Sequence, residues 1–303
     1  MVIAGLSDQL GNQMFAYASV KSICLDKGYP FGYYRVPLAA RFINDSDKKY
    51  GSDLSTIFQL PEQERVDHIP EGYSVLHEVP IAEQNAPDYR QRFTDSLMDP
   101  CITQGHFMST VLFADKLDQL REWFAFPEDI YQKTADQLAE IKKRYHDRPV
   151  VTVHFRVGKD YYYLGLRMER SYWTRAADLA KKTLNDPLFL CLYDKKTLMV
   201  KDFMKKYQAI ETHGSLVEDM CMIACSDANI VCNSSFSTMG ALLNRNSQLT
   251  IAPDRFLSGI GYNCLADSAF LPSWTKIEDV HHDKSSYFLG LCRNKARRIL
   301  LNR

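Results

Sequence analysis

Three short stretches of this chain hold residues whose types and spacing could do chemistry. The first is Val150-Val-Thr-Val-His154-Phe-Arg156-Val-Gly158-Lys-Asp160-Tyr161, an apolar, β-branched run that stops at a cation, a glycine and a carboxylate. Such a run reads as a buried parallel strand, and open α/β sheets bind ligands just beyond the carboxyl ends of such strands. Arg156 carries a permanent charge on a planar fork suited to phosphate or carboxylate oxygens, and Gly158 lets a ligand approach the backbone closely. The plainer reading is a strand-end arginine paired with Asp160 for structure alone. The second stretch, Asn233-Ser234-Ser235-Phe236-Ser237, opens a helical run through Gly240 and Ala241. Its hydroxyls and unpaired N–H groups could hold an anion, although serines there would cap a helix in any case. The third, Gly11-Asn12-Gln13, sits in an analogous turn whose plainer reading is again a turn and a cap.

The elements that must position these residues follow from periodicity. Apolar residues at 14, 15, 18, 20, 23 and 25 predict a helix from Asn12 to Lys27, stopped by Gly28 with Pro30 beyond. Residues 30 to 100 are rich in Pro, Gly, Tyr and charge, and they predict short helices and loops. Thr110 to His146 is helical again with a break at Phe126-Pro127, and Lys142 to Pro149 reads as a hinge. Beyond it, strands Val150–Phe155, Leu188–Tyr193 and Asn229–Cys232 alternate with helices at 171–185, 198–207, 217–226 and 237–245. That alternation predicts a parallel sheet covered on both faces and suited to a nucleotide.

Taken in order, the motifs resemble the bacterial α-1,2-fucosyltransferases, glycosyltransferase family 11. Their pattern has Gly-Leu-Gly-Asn-Gln-Met-Phe near the start, His-x-Arg-x-Gly-Asp-Tyr mid-chain and Asn-Ser-Ser-Phe-Ser-Trp-Trp-Gly-Ala later. Here these are Gly11 to Phe15, His154 to Tyr161 and Asn233 to Ala241, and the likeness also takes in Gly105 to Ser109, Phe189 to Asp194 and Ile251 to Pro253. The resemblance implies an α/β fold of GT-B type, with two Rossmann-like α/β domains facing a cleft. Residues 1–147 would form the acceptor side, 148–280 the GDP-sugar side and 281–303 a basic amphipathic helix. The activity implied is inverting, metal-independent transfer of L-fucose from GDP-fucose to the 2-hydroxyl of a terminal galactose, on a glycan or lipid-linked oligosaccharide. GDP-fucose is then a substrate, and no cofactor is implied.

Under that reading Arg156 binds the β-phosphate and Asp160 is the base by position, with Asp8 and Glu218-Asp219 as alternatives. Donor contacts fall to His154, Gly158, Asn233, Ser234, Ser235 and Ser237, to Gly11, Asn12 and Gln13, and to Asp194 for the guanine edge. Asn12 and Gln13 could instead position the acceptor hydroxyl. His154 and Asp194 have plainer readings, as a satisfied strand-end histidine and a solvated strand-end carboxylate. The chain departs from the family at four places: Val157 replaces a second arginine, Lys159 displaces the aspartate by one, Thr238-Met239 replaces the Trp pair, and Ser7 to Leu10 gives the first loop another entry. Lys159 is a candidate replacement cation. Two alternatives stay open: the same fold with another GDP-sugar or acceptor, and a non-catalytic glycan- or nucleotide-binding protein.

Composition bounds these readings. With 303 residues, 46% of them hydrophobic, the chain can bury one large core or two linked ones. A formal net charge of zero excludes a nucleic-acid binder that works through a global positive field. No apolar run reaches the length of a membrane span, and the start lacks the pattern of a secretory signal, so a cytoplasmic protein is expected. The eight cysteines include no Cys-x-x-Cys pair and read as buried thiols, with no metal site expected. Arg293, Lys295, Arg297, Arg298 and Arg303 interleave with Leu291, Ile299, Leu300 and Leu301, which suggests peripheral contact with the inner face of the membrane. A helix packed on the protein accounts for the same pattern.

Overall fold

Two parallel sheets carry the chain in the computed structural model, which describes residues 1–36, 53–164, 166–254, 256 and 268–278. The first is built from β1 (Val2–Leu6), β2 (Phe31–Arg35), β3 (Ser74–His77) and β4 (Cys101–Gln104), in the order β2-β1-β4-β3. The second takes β5 (Val150–Phe155), β6 (Leu188–Tyr193), β7 (Ile210–Glu211), β8 (Ala228–Ile230), β9 (Leu249–Pro253) and β10 (Thr275–Ile277), in the order β10-β9-β8-β5-β6-β7. All the pairings are parallel, so in each sheet the carboxyl ends of the strands face the same way.

β5 and β6 are buried along almost their whole length and pair from Val150↔Leu188 to Phe155↔Tyr193, as continuous apolar runs with helices on both faces require. Arg156 and Asp194, each one residue beyond its strand, therefore leave the sheet side by side. The expected helices form at Arg170–Thr183, Leu198–Tyr207, Leu216–Cys225 and Ser235–Leu243, the second as expected and the others with ends shifted by one or two residues. Ser215 starts the third with a capping box, its hydroxyl taking the Glu218 N–H while the Glu218 carboxylate takes the Ser215 N–H.

Residues 30 to 100 correct the sequence reading. Besides the short helices expected there, they contain the parallel strands β2 and β3, and β4 follows at once. These strands escape a periodicity reading because they are only four or five residues long. Phe31-Gly-Tyr-Tyr-Arg35 has no regular alternation, and β3 is an edge strand whose side chains are mostly exposed.

Helix Leu10–Lys27 ties the two sheets together. Fourteen of its residues are buried, and it ends at Gly28, whose φ of 63° closes the last turn onto Cys24 and Leu25. Its Met14, Phe15 and Ala18 share one apolar core with Ile223, Val231, Met239 and Leu242 of the other half. A second core lies under β5, β6 and β8 around Val153, Phe155, Trp173 and Phe189.

The tightest point of that junction is Gly11. A Cβ there would lie 2.5 Å from the Phe236 backbone nitrogen and 2.6 Å from the Ser235 carbonyl carbon, backbone atoms that cannot swing aside. Gly11→Val should therefore lower stability by about 2–4 kcal/mol, the scale of overpacking in a close-packed interior with no flexible neighbour. Urea denaturation checks this, and a midpoint unchanged from the parent chain would show that the contact is not maintained in solution.

Candidate active site

The Asp194 carboxylate organises the turn after β5. Its Oδ1 accepts the Val157 N–H at 2.8 Å, and its Oδ2 accepts the Gly158 N–H at 2.9 Å and Arg156 Nη1 at 2.9 Å. The other arm of the guanidinium, Nη2, donates to Asp160 Oδ2 at 2.5 Å, and Tyr161 lies under the charge at 4.9 Å. Arg156 is thus fixed with its fork at the mouth of the sheet, its side chain 20% exposed. Gly158 is required by this arrangement, since a Cβ would meet Asp194 Oδ2 at 2.6 Å and Asp160 Oδ1 at 2.7 Å. The plainer reading of the motif, a strand-end Arg paired with Asp160, is therefore present in the structure. Asp160 is half exposed, and an incoming anion would compete with it for the guanidinium.

Asp194 itself is 18% exposed, and the contacts it makes are with Arg156 and the backbone of 157–158. It is not a solvated carboxylate. Its observed work is to hold Arg156 and the turn.

His154 is buried at the end of β5, with Nδ1 3.4 Å from the Cys232 sulfur and its ring 5.2 Å from that of Phe236. Burial, with Arg156 nearby, pushes its pKa down to about 3, so the imidazole is neutral at ordinary pH. Asn233 and Ser234 are buried beside it, Asn233 donating to the Leu166 carbonyl at 3.4 Å. Ser234 is the N-cap residue of helix Ser235–Leu243 but makes no side-chain cap, and the Ser237 hydroxyl turns back to the Ser234 carbonyl at 3.2 Å. That helix follows β8, the neighbour of β5 in the sheet, so its start lies on the same side of the sheet as the Arg156 turn.

Across the junction, Gly11 abuts this helix start, and the Asn12 side-chain oxygen accepts the Ser235 hydroxyl. Gln13 lies deeper in the fold than its neighbour Asn12. It is fully buried, with Nε2 donating to the Asp8 carbonyl at 2.9 Å and Oε1 accepting the Leu54 N–H at 3.0 Å. A side chain so engaged shapes the first turn.

The family departures also acquire locations. Val157 lies in the second core, where a cation would have been driven into apolar surroundings. Lys159 is exposed at the start of helix Lys159–Leu164. The cation the sequence reading missed is Arg167, whose Nη2 donates to the Gly158 carbonyl at 3.0 Å and whose charge lies over the Tyr162 ring at 4.8 Å. No short motif contains it, so only the folded turn shows it next to Arg156. Thr238 and Met239 are fully buried, Met239 in the shared core, so the missing Trp pair is a change in packing rather than a lost surface of the cleft.

A second cluster went unranked in the sequence. Beyond the carboxyl ends of β1 and β4, His106 Nε2 lies 2.6 Å from Asp8 Oδ2, joining residues 98 apart. Arg35 reaches the same turn, donating to the Leu6 and Asp8 carbonyls at 2.9 and 3.2 Å. Among the described residues, no group of three or more His, Cys, Asp or Glu could hold a metal ion, and no helix is long and apolar enough to cross a membrane. The basic segment 281–303, on which peripheral membrane contact was argued, lies outside the described residues.

No protein-family model and no curated protein matches the chain. Among solved structures it is similar to the selenomethionine form of the fucosyltransferase NodZ from Bradyrhizobium, at 15% identity with a TM-score of 0.50, over 86% of this chain and 96% of that one. It is also similar to POFUT1 in complex with GDP-fucose, at 10% identity with a TM-score of 0.44, over 83% and 96% of the two chains. The NodZ likeness is one of fold. With the two parallel sheets and the junction between them, it makes this chain an α/β protein of GT-B type.

Asp194→Asn tests the anchor. Asparagine offers one acceptor oxygen and an NH2 group that would face donors, so at least one of three hydrogen bonds is lost. A stability loss of about 1–3 kcal/mol is expected from groups left unsatisfied near Arg156. Denaturant titration reads it, and a variant as stable as the parent would remove Asp194 from the role of organiser.

Proposed function

We propose that this chain is a glycosyltransferase that moves L-fucose from GDP-fucose, with inversion and without a metal, to the 2-hydroxyl of a terminal galactose in a glycan or lipid-linked oligosaccharide. The observation that carries the reading is Arg156, held at the end of β5 by Asp194 beside the start of helix Ser235–Leu243. Together they offer a cationic fork and a set of backbone N–H groups to one anion.

The reaction needs that combination. As the sugar leaves through an oxocarbenium-like state, negative charge grows on the departing diphosphate, and fixed donors aimed there stabilise the transition state more than the ground state. Arg156 would exchange its hydrogen bond with Asp160 for a phosphate oxygen while Asp194 keeps it aimed. Neutral His154 would line the nucleotide side without adding repulsion or attraction. NodZ, whose fold this chain shares, is named a fucosyltransferase, which supports fucose as the sugar transferred. Galactose and the 1,2-linkage rest on the motif resemblance. The same fold acting on another GDP-sugar or acceptor is the second reading, favoured by Val157 and Lys159 standing where family members have other residues.

GDP release from GDP-fucose, measured with and without galactosides, tests the proposal. Galactoside-dependent release with a 1,2-linked product is expected. No release with any acceptor, despite GDP binding, would point to a binding protein instead. EDTA should leave the rate unchanged, because Arg156 and the helix start supply the electrostatic task. An Asp-x-Asp triplet, of the kind that can hold a metal–diphosphate complex, is present at Asp45-Ser46-Asp47 outside the described residues, so loss of activity in EDTA and recovery with manganese would reassign the role there. Arg156→Lys keeps the charge but loses the fork, and kcat should fall by about 2–4 kcal/mol of transition-state stabilisation. Parent kinetics in that variant would overturn the phosphate assignment.

A further inference from the structure

We infer that Asp8 and His106 form the pair that takes the proton from the acceptor hydroxyl, with His106 as the base and Asp8 as the residue that orients it. The inference rests on the transfer reaction proposed above and names the group that reaction lacks. An inverting transfer needs an acceptor for the hydroxyl proton on the side of the sugar opposite the leaving diphosphate. Asp160 is poorly placed for this, since it sits beside the guanidinium on the leaving-group side even after a phosphate oxygen has taken its place there.

The Asp8–His106 pair lies on the other sheet. β1 and β4 are neighbours, and each member of the pair sits two residues past its strand, at the carboxyl edge where open sheets bind ligands. Asp8 is three residues ahead of Gly11, the point at which this half touches the start of helix Ser235–Leu243. The pair is therefore beside the donor site but carried by the opposite half. Both side chains reach solvent, Asp8 at 47% and His106 at 27% exposure.

The backbone around the pair includes a turn, at Phe107, that its sequence alone would not choose. Asp8 has φ of 59°, which aspartate tolerates, and Phe107 φ of 51°, in the left-handed region that costs a bulky residue most. Surrounding groups fix both turns. Gln13 and Arg35 donate to the Asp8 carbonyl at 2.9 and 3.2 Å. The Glu78 carboxylate accepts the N–H of His106 at 3.0 Å and of Phe107 at 2.6 Å, and Gln84 holds Glu78 at 2.8 Å. Gly105 is needed beneath, because a Cβ there would lie 2.2 Å from that of Glu78. Four polar side chains thus converge to fix two turns whose visible product is one partly exposed carboxylate–imidazole contact.

The chemistry fits the contact. The hydrogen bond from His106 holds the Asp8 carboxyl below the usual carboxylate range, so Asp8 is ionised and accepts from Nε2–H. In that tautomer Nδ1 carries the lone pair, and among the described residues it has no hydrogen-bond partner. The acceptor O–H proton passes to Nδ1 as its oxygen forms the bond to the anomeric carbon. The bond from that carbon to the diphosphate oxygen breaks, and GDP leaves with the electron pair. The imidazolium is stabilised by Asp8 until the proton passes to solvent.

His106→Gln tests this, because its amide can still donate to Asp8 while it cannot act as a base. Transfer kcat should fall at least about 100-fold, the scale of lost general-base catalysis, with the KM for GDP-fucose, the calorimetric Kd for GDP and the thermal midpoint each within about threefold or a few degrees of the parent. Asp8→Asn, which removes only the orienting charge, should lower kcat about 10-fold or more with the same unchanged GDP affinity. His106→Gln transferring within about fivefold of the parent rate, or losing GDP affinity and thermal stability along with transfer, would overturn the assignment in favour of a structural pair. A parent chain that neither binds GDP nor cleaves GDP-fucose would instead defeat the donor reading itself.

Discussion

The close approach of two helix starts at Gly11 is the constraint on which the rest of the molecule depends. Helix Leu10–Lys27 begins one residue before it, and helix Ser235–Leu243 begins against it, with no room between for even a methyl group. Each helix follows the carboxyl end of a strand in a different sheet. Fixing the two starts against one another therefore brings the loop ends of both sheets to the same place. Asn12 and Ser235 add a hydrogen bond across the contact, and the apolar core behind it holds the alignment.

Within that frame carboxylates do most of the positioning. Asp194 holds a cation and two backbone N–H groups, and Glu78 holds two backbone N–H groups. In each case a partly buried acid accepts donors from a turn that would otherwise be loose, which makes geometry and charge placement the same act. Asp160 differs. It is more exposed, and its bond to Arg156 is the one a ligand could replace at least cost.

Much of the second sheet was legible in the sequence, because long apolar runs such as Val150–Phe155 and Leu188–Tyr193 can only be buried strands between helices. The cation, glycine and serines at their ends were legible for the same reason. What stayed hidden was local weakness or distance. β2, β3 and β4 are too short to show a period, and β3 is exposed. Arg167 belongs to no motif and reaches the Gly158 carbonyl only because the helix after Gly158 turns back. Asp8 was visible as one acid among several, but its partner lies 98 residues away, and no pattern along the chain announces that meeting. Gln13, in a recognisable motif, is buried and tied to the Asp8 and Leu54 backbone, a local use that the motif alone does not reveal.

The core that runs from Phe15 and Met14 to Ile223, Met239 and Leu242 has a bearing on how such a protein can move. A hinge between two separately packed lobes can open widely because little apolar surface is exposed when it does. Here a wide opening would wet a continuous interior, at about 25 cal/mol for each Å² uncovered. Access to the cleft must then come from its loops, and not from swinging the sheets apart. For the same reason the two halves should melt as one cooperative unit, and a gene cut at the hinge near Pro149 would yield two fragments each lacking part of its own interior.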